Sequence, residues 1–90
     1  MKEKSMNEIF LIGKIISNIE FRFIINTKNI SIVKFKVETI KDKQNITVIA
    51  YNEVADYIYS SLNKNDIVMI NGYLENYCNI GIKHIIKIDI

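Results

Sequence analysis

Across residues 7–23 (NEIFLIGKIISNIEFRF) apolar side chains occupy both phases of a strand: Ile9, Leu11, Gly13 and Ile15 on one face, Phe10, Ile12, Lys14 and Ile16 on the other. A strand apolar on both faces is expected to be covered on both sides. Gly13 inside it points to a bend or bulge where a sheet curls over, the start of a small closed barrel. Ser17-Asn18 breaks the pattern, and a lone arginine, Arg22, then stands between Phe21 and Phe23, one of which is expected in the core.

Residues 30–39 alternate next, with Val33, Phe35 and Val37 apolar while Lys34, Lys36 and Glu38 point away. Ile30 and Ile32 are in the opposite phase, which predicts a bulge near Ile32-Val33. Residues 41–45 form a polar turn. The next strand, 46–51, places Ile46, Val48 and Ala50 on one side and Thr47, Ile49 and Tyr51 on the other, making a hairpin with the strand before it.

From Asn52 the period changes: Val54, Ala55, Ile58 and Leu62 recur at helical spacing behind Asn52, a residue type suited to an N-cap. Residues 63–66 end the helix. A fourth strand over 67–75 sets Val68, Ile70, Gly72 and Leu74 on one face and Tyr73 and Glu75 on the other. Asn79-Ile80-Gly81 predicts a turn, and 82–90 a fifth strand. The order of three strands, one helix and two strands predicts an all-β chain: a five-stranded OB-fold barrel with the α-helix between strands three and four, plugging one end.

Ninety residues without proline, linker or repeat read as one domain, 1–90, whose core alone gives modest stability, so a partner subunit would help. The apolar outer residues Phe10, Ile12, Ile49 and Ile85 argue in the same direction. Twelve Lys and Arg against ten Asp and Glu permit an anionic partner without demanding one. Eleven of the twelve bases are lysine in a chain rich in Ile and Asn, a bias that an AT-rich genome also produces, so the lysine excess says little about function.

Catalysis finds little footing. His84, the one histidine, shares parity with Ile82, Ile86, Ile88 and Ile90, as a packed or edge residue would. No Ser/His/Asp set, phosphate-binding glycine loop or metal-ligand spacing is present, and Cys78 is the one cysteine, so neither metal nor cofactor is implied. Glu53 and Asp56 near the helix start suit its dipole. With no signal-like segment and no apolar run long enough to cross a bilayer, the expected location is the cytoplasm, away from membranes.

Three blocks resemble the bacterial single-stranded DNA-binding protein family. The first is Asn7, Ile9, Leu11, Gly13, Lys14 and Ile15, continuing to Glu20, Phe21, Arg22 and Phe23. The second is 46–51 with Ala55, and the third is Leu62 followed by Val68, Ile70, Gly72 and Leu74, similar to the family's V-x-V-x-G-x-L strand. The resemblance implies nonspecific binding of single-stranded DNA, with RNA left open, in replication, recombination or repair. Tyr51 stands where the family places a stacking aromatic, its alternative being a tyrosine packed on the helix start. Tyr73 and Tyr77 are candidate stacking residues in the following arm or, alternatively, interface tyrosines. Lys14, Arg22, Lys34 and Lys36 are candidate phosphate contacts, each with a plain solvated-face alternative. Lys41 and Lys43 at the hairpin tip are weaker candidates, with Asp42 between them.

The family also implies a homodimer or homotetramer. The sequence departs from the family's pattern in having no tryptophan and a short hairpin between its second and third strands, and with Ile90 falling in the fifth strand no acidic tail for recruiting replication proteins is expected. In these respects it is similar to the compact primosomal replication protein N. The alternative function is therefore an OB-fold adaptor or protein-interaction subunit with weak or no nucleic-acid binding.

Overall fold

The structure, a computed structural model, describes residues 7–25, 29–76 and 79–89. Its elements run β1 (Ile9–Ile15), β2 (Glu20–Ile24), β3 (Ile30–Thr39), β4 (Asn45–Tyr51), α1 (Asn52–Ser61), β5 (Ile67–Leu74) and β6 (Asn79–Lys87). The strands form one sheet in the order β1-β5-β6-β4-β3-β2, and pairing of β1 with β3 closes it on itself. Five strands thus make the OB-fold barrel, with α1 between the third and fourth of them. β2 continues past the closure alongside β3. After the helix the chain re-enters the sheet as β5, antiparallel to β1, and β6 then returns between β5 and β4, pairing parallel with β4.

Gly13 is the point of closure, opposite Val68 on β5 and Thr39 on β3. A Cβ there would lie 2.3 Å from Val37 Cγ1 and 2.8 Å from the Glu38 carbonyl oxygen, so the two backbones meet this closely only at a glycine. The break that follows is tied to β3. Ile16 N–H donates to the Lys36 carbonyl at 2.9 Å, and Lys36 N–H donates to Ser17 Oγ at 2.8 Å. A serine hydroxyl stands in for a backbone acceptor, so the chain leaves β1 and rejoins the same neighbour as β2.

The bulge expected at Ile32-Val33 is absent. Register runs unbroken from Ile30 to Lys34 against β2 and from Ile32 to Glu38 against β4. Ser31, 6% exposed, takes the inward site next to Val33, Phe35 and Val37, while Ile30 and Ile32 lie half-buried outside with Lys34 and Lys36. The interruption instead falls between β5 and β6, where Gly72 pairs with Ile82 but Asn71 pairs with His84, passing over Lys83. Ile80, Ile82 and Ile85 consequently face the core, and His84 and Ile86 face out. Ile85, expected outside, is 7% exposed, and His84 does not share a face with Ile82. Asn79-Ile80-Gly81, expected as a turn, belongs to β6, with Ile80 between Val48 and Leu74.

Ile15, Val33, Val37, Val48, Val68 and Ile70 line the closed interior. A ten-residue helix is too short to persist alone in water. α1 is held by burial of Ala55 and Ile58, with Leu62 just past its end. Asn52 does not supply the expected cap: Tyr51 occupies the N-cap position without a side-chain bond, and Asn52 takes a left-handed backbone, φ 56°, that asparagine accepts more readily than most residues. The chain therefore turns sharply from strand to helix immediately after Tyr51. Phe21 and Phe23 are both exposed: β2 overhangs the barrel, and the Phe21 ring meets Tyr59 of α1 with centroids 4.6 Å apart instead of entering the core.

Candidate nucleic-acid interface

Cross-strand register assembles the outward residues of five strands into rows, because directly paired residues point to the same side of a sheet. One row runs Glu20 on β2, Lys34 on β3, Ile49 on β4, Gly81 on β6 and Tyr73 on β5. On one side of it lies Arg22, Ile32 and Tyr51, and on the other Lys36, Thr47 and Asn79. Two adjoining concavities follow this surface. One of about 550 Å³ is lined by Ser17, Asn18, Glu20, Lys34, Phe35, Lys36 and Thr47. The other, about 540 Å³, is lined by Glu20, Phe21, Arg22, Ile32, Lys34 and Ile49. Together they form a groove bearing three cations, open to solvent and large enough for extended chain.

At its far end sit two tyrosines. Gly81 makes the floor for Tyr73, since a Cβ at that position would fall 2.3 Å from Tyr73 Cζ. The ring therefore lies across β6. Tyr51 reaches over the same strand, and its hydroxyl donates to Glu75 Oε2 just beyond β5. That bond, followed by burial and the charges of Glu75 and Tyr73, pushes the Tyr51 phenol up to about 12. Burial, then the Glu75 carboxylate, raises Tyr73 as well. Both phenols are neutral at ordinary pH, so they offer uncharged rings beside a cationic track.

Of the residues singled out from sequence, Arg22, Lys34, Lys36, Tyr51 and Tyr73 come together on this face. Lys14 does not join them. It lies opposite Ile67 on β5 and Glu38 on β3, outside the lining of both concavities. Tyr77 lies outside the described residues. The hydroxyl of Tyr51 points across the sheet to Glu75, with the ring on the outward side of β4. Ile32, Ile49, Glu75 and Gly81 are added by the fold. Ile32 and Ile49 were visible as apolar residues among lysines, whereas the roles of Gly81 and Glu75 depend on register set by the hairpin between β5 and β6.

A second outward face, on β1, β5 and β6, is apolar. Phe10 stands beside Asn71 and His84, and Ile12 beside Met69 and Ile86. Phe10 is 62% exposed, Ile12 40% and Ile86 56%, so the outer side of β1 is not covered within the described chain as its sequence predicts. Residues 9–12 of β1 pair with β5, whereas on the other side pairing with β3 starts at Gly13 and the Ile40 N–H donates to the Ile12 carbonyl at 3.1 Å, which leaves residues 9–11 as a short open edge beside this face. Among the described residues no group of three or more His, Cys, Asp or Glu is placed to hold a metal, and no helix is long and apolar enough to cross a membrane.

This layout has counterparts. The model of the Single-strand binding protein family matches residues 6–79. The chain belongs to that family. No curated protein sequence matches the chain. Among solved structures, the SSB domain of a protein from Synechococcus sp. superposes with a TM-score of 0.79 at 16% identity, covering 93% of this chain and 98% of that one. The single-stranded DNA binding protein from Thermus aquaticus gives a TM-score of 0.79 at 16% identity over 93% of this chain, which spans 41% of the Thermus chain. The protein priB from Ralstonia solanacearum gives 0.77 at 11% identity, covering 93% of this chain and 100% of that one. At such identities these likenesses establish the shared barrel; the family match covers the sequence.

Proposed function

We propose that this protein binds single-stranded DNA without sequence preference, in replication, recombination or repair. The observation that carries the reading is the continuous outward groove in which Arg22, Lys34 and Lys36 flank Ile32 and Ile49 and lead to Tyr51 and Tyr73. A single strand needs cations along its phosphates and ring faces for its bases, the latter worth about 1–3 kcal/mol per base. Glu20 and Glu75 keep the net charge of the face low, so stacking carries a larger share of affinity than in a strongly basic groove. Membership of the single-strand binding family supports the same reading.

Self-association belongs to this proposal. The apolar face of Phe10, Ile12, Met69 and Ile86 adjoins the open edge of β1, and a second copy meeting it covers these side chains and extends the sheet together. The same face favours a second reading, an adaptor with weak or no nucleic-acid binding, because it leaves Phe10, Ile12 and Ile86 exposed together and the full length of priB superposes on this barrel.

Fluorescence anisotropy of a labelled 30-nucleotide oligo-dT, titrated at low and then moderate salt beside an equal duplex, decides between them. Preference for the single strand with affinity falling as salt rises is expected, because bound phosphates release counterions. Absence of binding at micromolar protein and low salt favours the adaptor.

A further inference from the structure

We propose that Glu75 is a positioning residue of the nucleic-acid face, bracing Tyr51 for stacking while its charge restrains phosphate affinity. The proposal rests on the single-strand-binding reading and adds to it a residue that contacts neither the phosphate track nor, in its main role, the bases. Three observations carry it. Glu75 follows the end of β5, on the opposite side of β6 from Tyr51, yet accepts the Tyr51 hydroxyl over that strand. On the same outward side of the sheet the Tyr73 ring is laid against β6 at Gly81, so Tyr51 and Tyr73 flank the carboxylate together. Tyr51 is also the last residue before α1, at an N-cap with no side-chain bond of its own, so the bond to Glu75 is the tether of its outer end.

A tyrosine fixed at both ends has fewer rotamers to lose when a base settles on it, and this ordering cost otherwise subtracts from stacking. The brace is an acidic one, however, placed beside a groove that holds three cations. A carboxylate within a Debye length of the phosphates opposes their binding at low salt and is screened at high salt. Glu75 thus has two effects of opposite sign, and ionic strength separates them.

The test is a titration of labelled oligo-dT, 30 nucleotides long, at about 20 mM and about 300 mM salt with the wild type, Glu75→Gln, Glu75→Ala, Tyr51→Phe and the double variant Tyr51→Phe/Glu75→Ala. Glu75→Gln keeps an oxygen acceptor for the hydroxyl and removes the charge. It is expected to bind a few-fold tighter than wild type at low salt and equally at high salt. Glu75→Ala and Tyr51→Phe each remove the brace and are expected to lose about three- to ten-fold at high salt. The double variant is expected to lose no more than either alone, as coupled partners do.

If Glu75→Ala behaves as Glu75→Gln at both salts, or Tyr51→Phe binds as wild type at high salt, the brace is disproved while single-strand binding stands. Should the wild type bind no single strand at either salt, the function itself fails, and the brace with it. Tyr51→Phe keeps the ring, the barrel and Glu75, so it decides the matter even where Glu75→Ala folds poorly.

Discussion

The two outward faces of this barrel come from the same sheet and share β5 and β6, yet they differ in chemistry. Across β2, β3 and β4 the outward positions hold Arg22, Lys34, Lys36, Ile32 and Ile49, with Tyr51 and Tyr73 at the margin. Across β1, β5 and β6 they hold Phe10, Ile12, Met69 and Ile86. The first pairs cations with half-buried apolar surface, which suits a ligand that is charged along one side and flat along the other. The second leaves aromatic and branched side chains in water, a cost that only a dry contact removes. A barrel whose interior is already filled by its own side chains has only its outside to specialise, and here the outside is divided.

The sharpest way to break that division is on the apolar side. Phe10→Asp combined with Ile86→Asp places two charges where a second copy would exclude water, and burying an unpaired charge is prohibitive. Sedimentation is expected to show complete loss of self-association. The groove is intact in this variant, so each monomer retains binding to a short oligonucleotide, and affinity for long strands drops through lost multivalency. An unchanged oligomer would place the interface elsewhere.

Next in size is Tyr51→Ala on the other face. It removes a ring worth about 1–3 kcal/mol of stacking, roughly a five- to hundred-and-fifty-fold weaker affinity for oligo-dT. Self-association is expected to be unaffected, since Tyr51 lies away from Phe10 and Ile86. Equal single-strand affinity in wild type and variant would remove Tyr51 from the platform and favour the adaptor.

How far these faces were legible in the sequence follows from what sets each of them. The bounds of β3, Ile30 to Thr39, were readable to the residue because charged and apolar residues alternate from Val33 on and one face is buried. Its first part was not, since Ser31 takes an inward site and no bulge shifts the phase. The phase of β6 was not readable either. Nearly every second residue there is isoleucine, so a skipped pairing at Lys83 leaves no mark in the pattern while it turns Ile85 inward and His84 outward. Asn79-Ile80-Gly81 looks like a turn by composition, but pairing on both sides overrides that tendency. The cations of the groove could be nominated one by one, and Tyr51 through the family resemblance, which places a stacking aromatic at that position. The bond of Tyr51 to Glu75 and the seat of Tyr73 on Gly81 are products of long-range register, to which no local window has access.

A smaller effect separates phosphate contact from solvated lysine. Lys34→Ala and Lys36→Ala are each expected to lower the slope of log affinity against log salt by about 0.7, the increment for one phosphate on a single strand. Lys14→Ala, outside the groove, is expected to leave the slope unchanged. A uniform response of all three would mean that the lysines act through net charge and that the groove has no track, blurring the line between the faces. Equal slopes for the Lys34 variant and wild type would return Lys34 to the plain solvated surface.

The finest distinction concerns the margin where Tyr51 meets Glu75. The Tyr51 phenol is held up to about 12, first by its bond to Glu75 and then by burial and by the charges of Glu75 and Tyr73. Its ordinary value in an unfolded chain is about 10. Because the folded form keeps the proton through this interval, the bond's contribution to stability is complete below about pH 10 and is lost as pH rises through about 12. The pair is partly open to water, so the amount is small. Thermal melts of wild type and Tyr51→Phe between pH 8 and 11 measure it as a difference, which cancels the titration of the lysines common to both. Wild type is expected to lose its advantage over Tyr51→Phe above about pH 10, whereas a constant gap across the range would mean that the hydroxyl does not depend on its proton and that Glu75 is not its partner in solution.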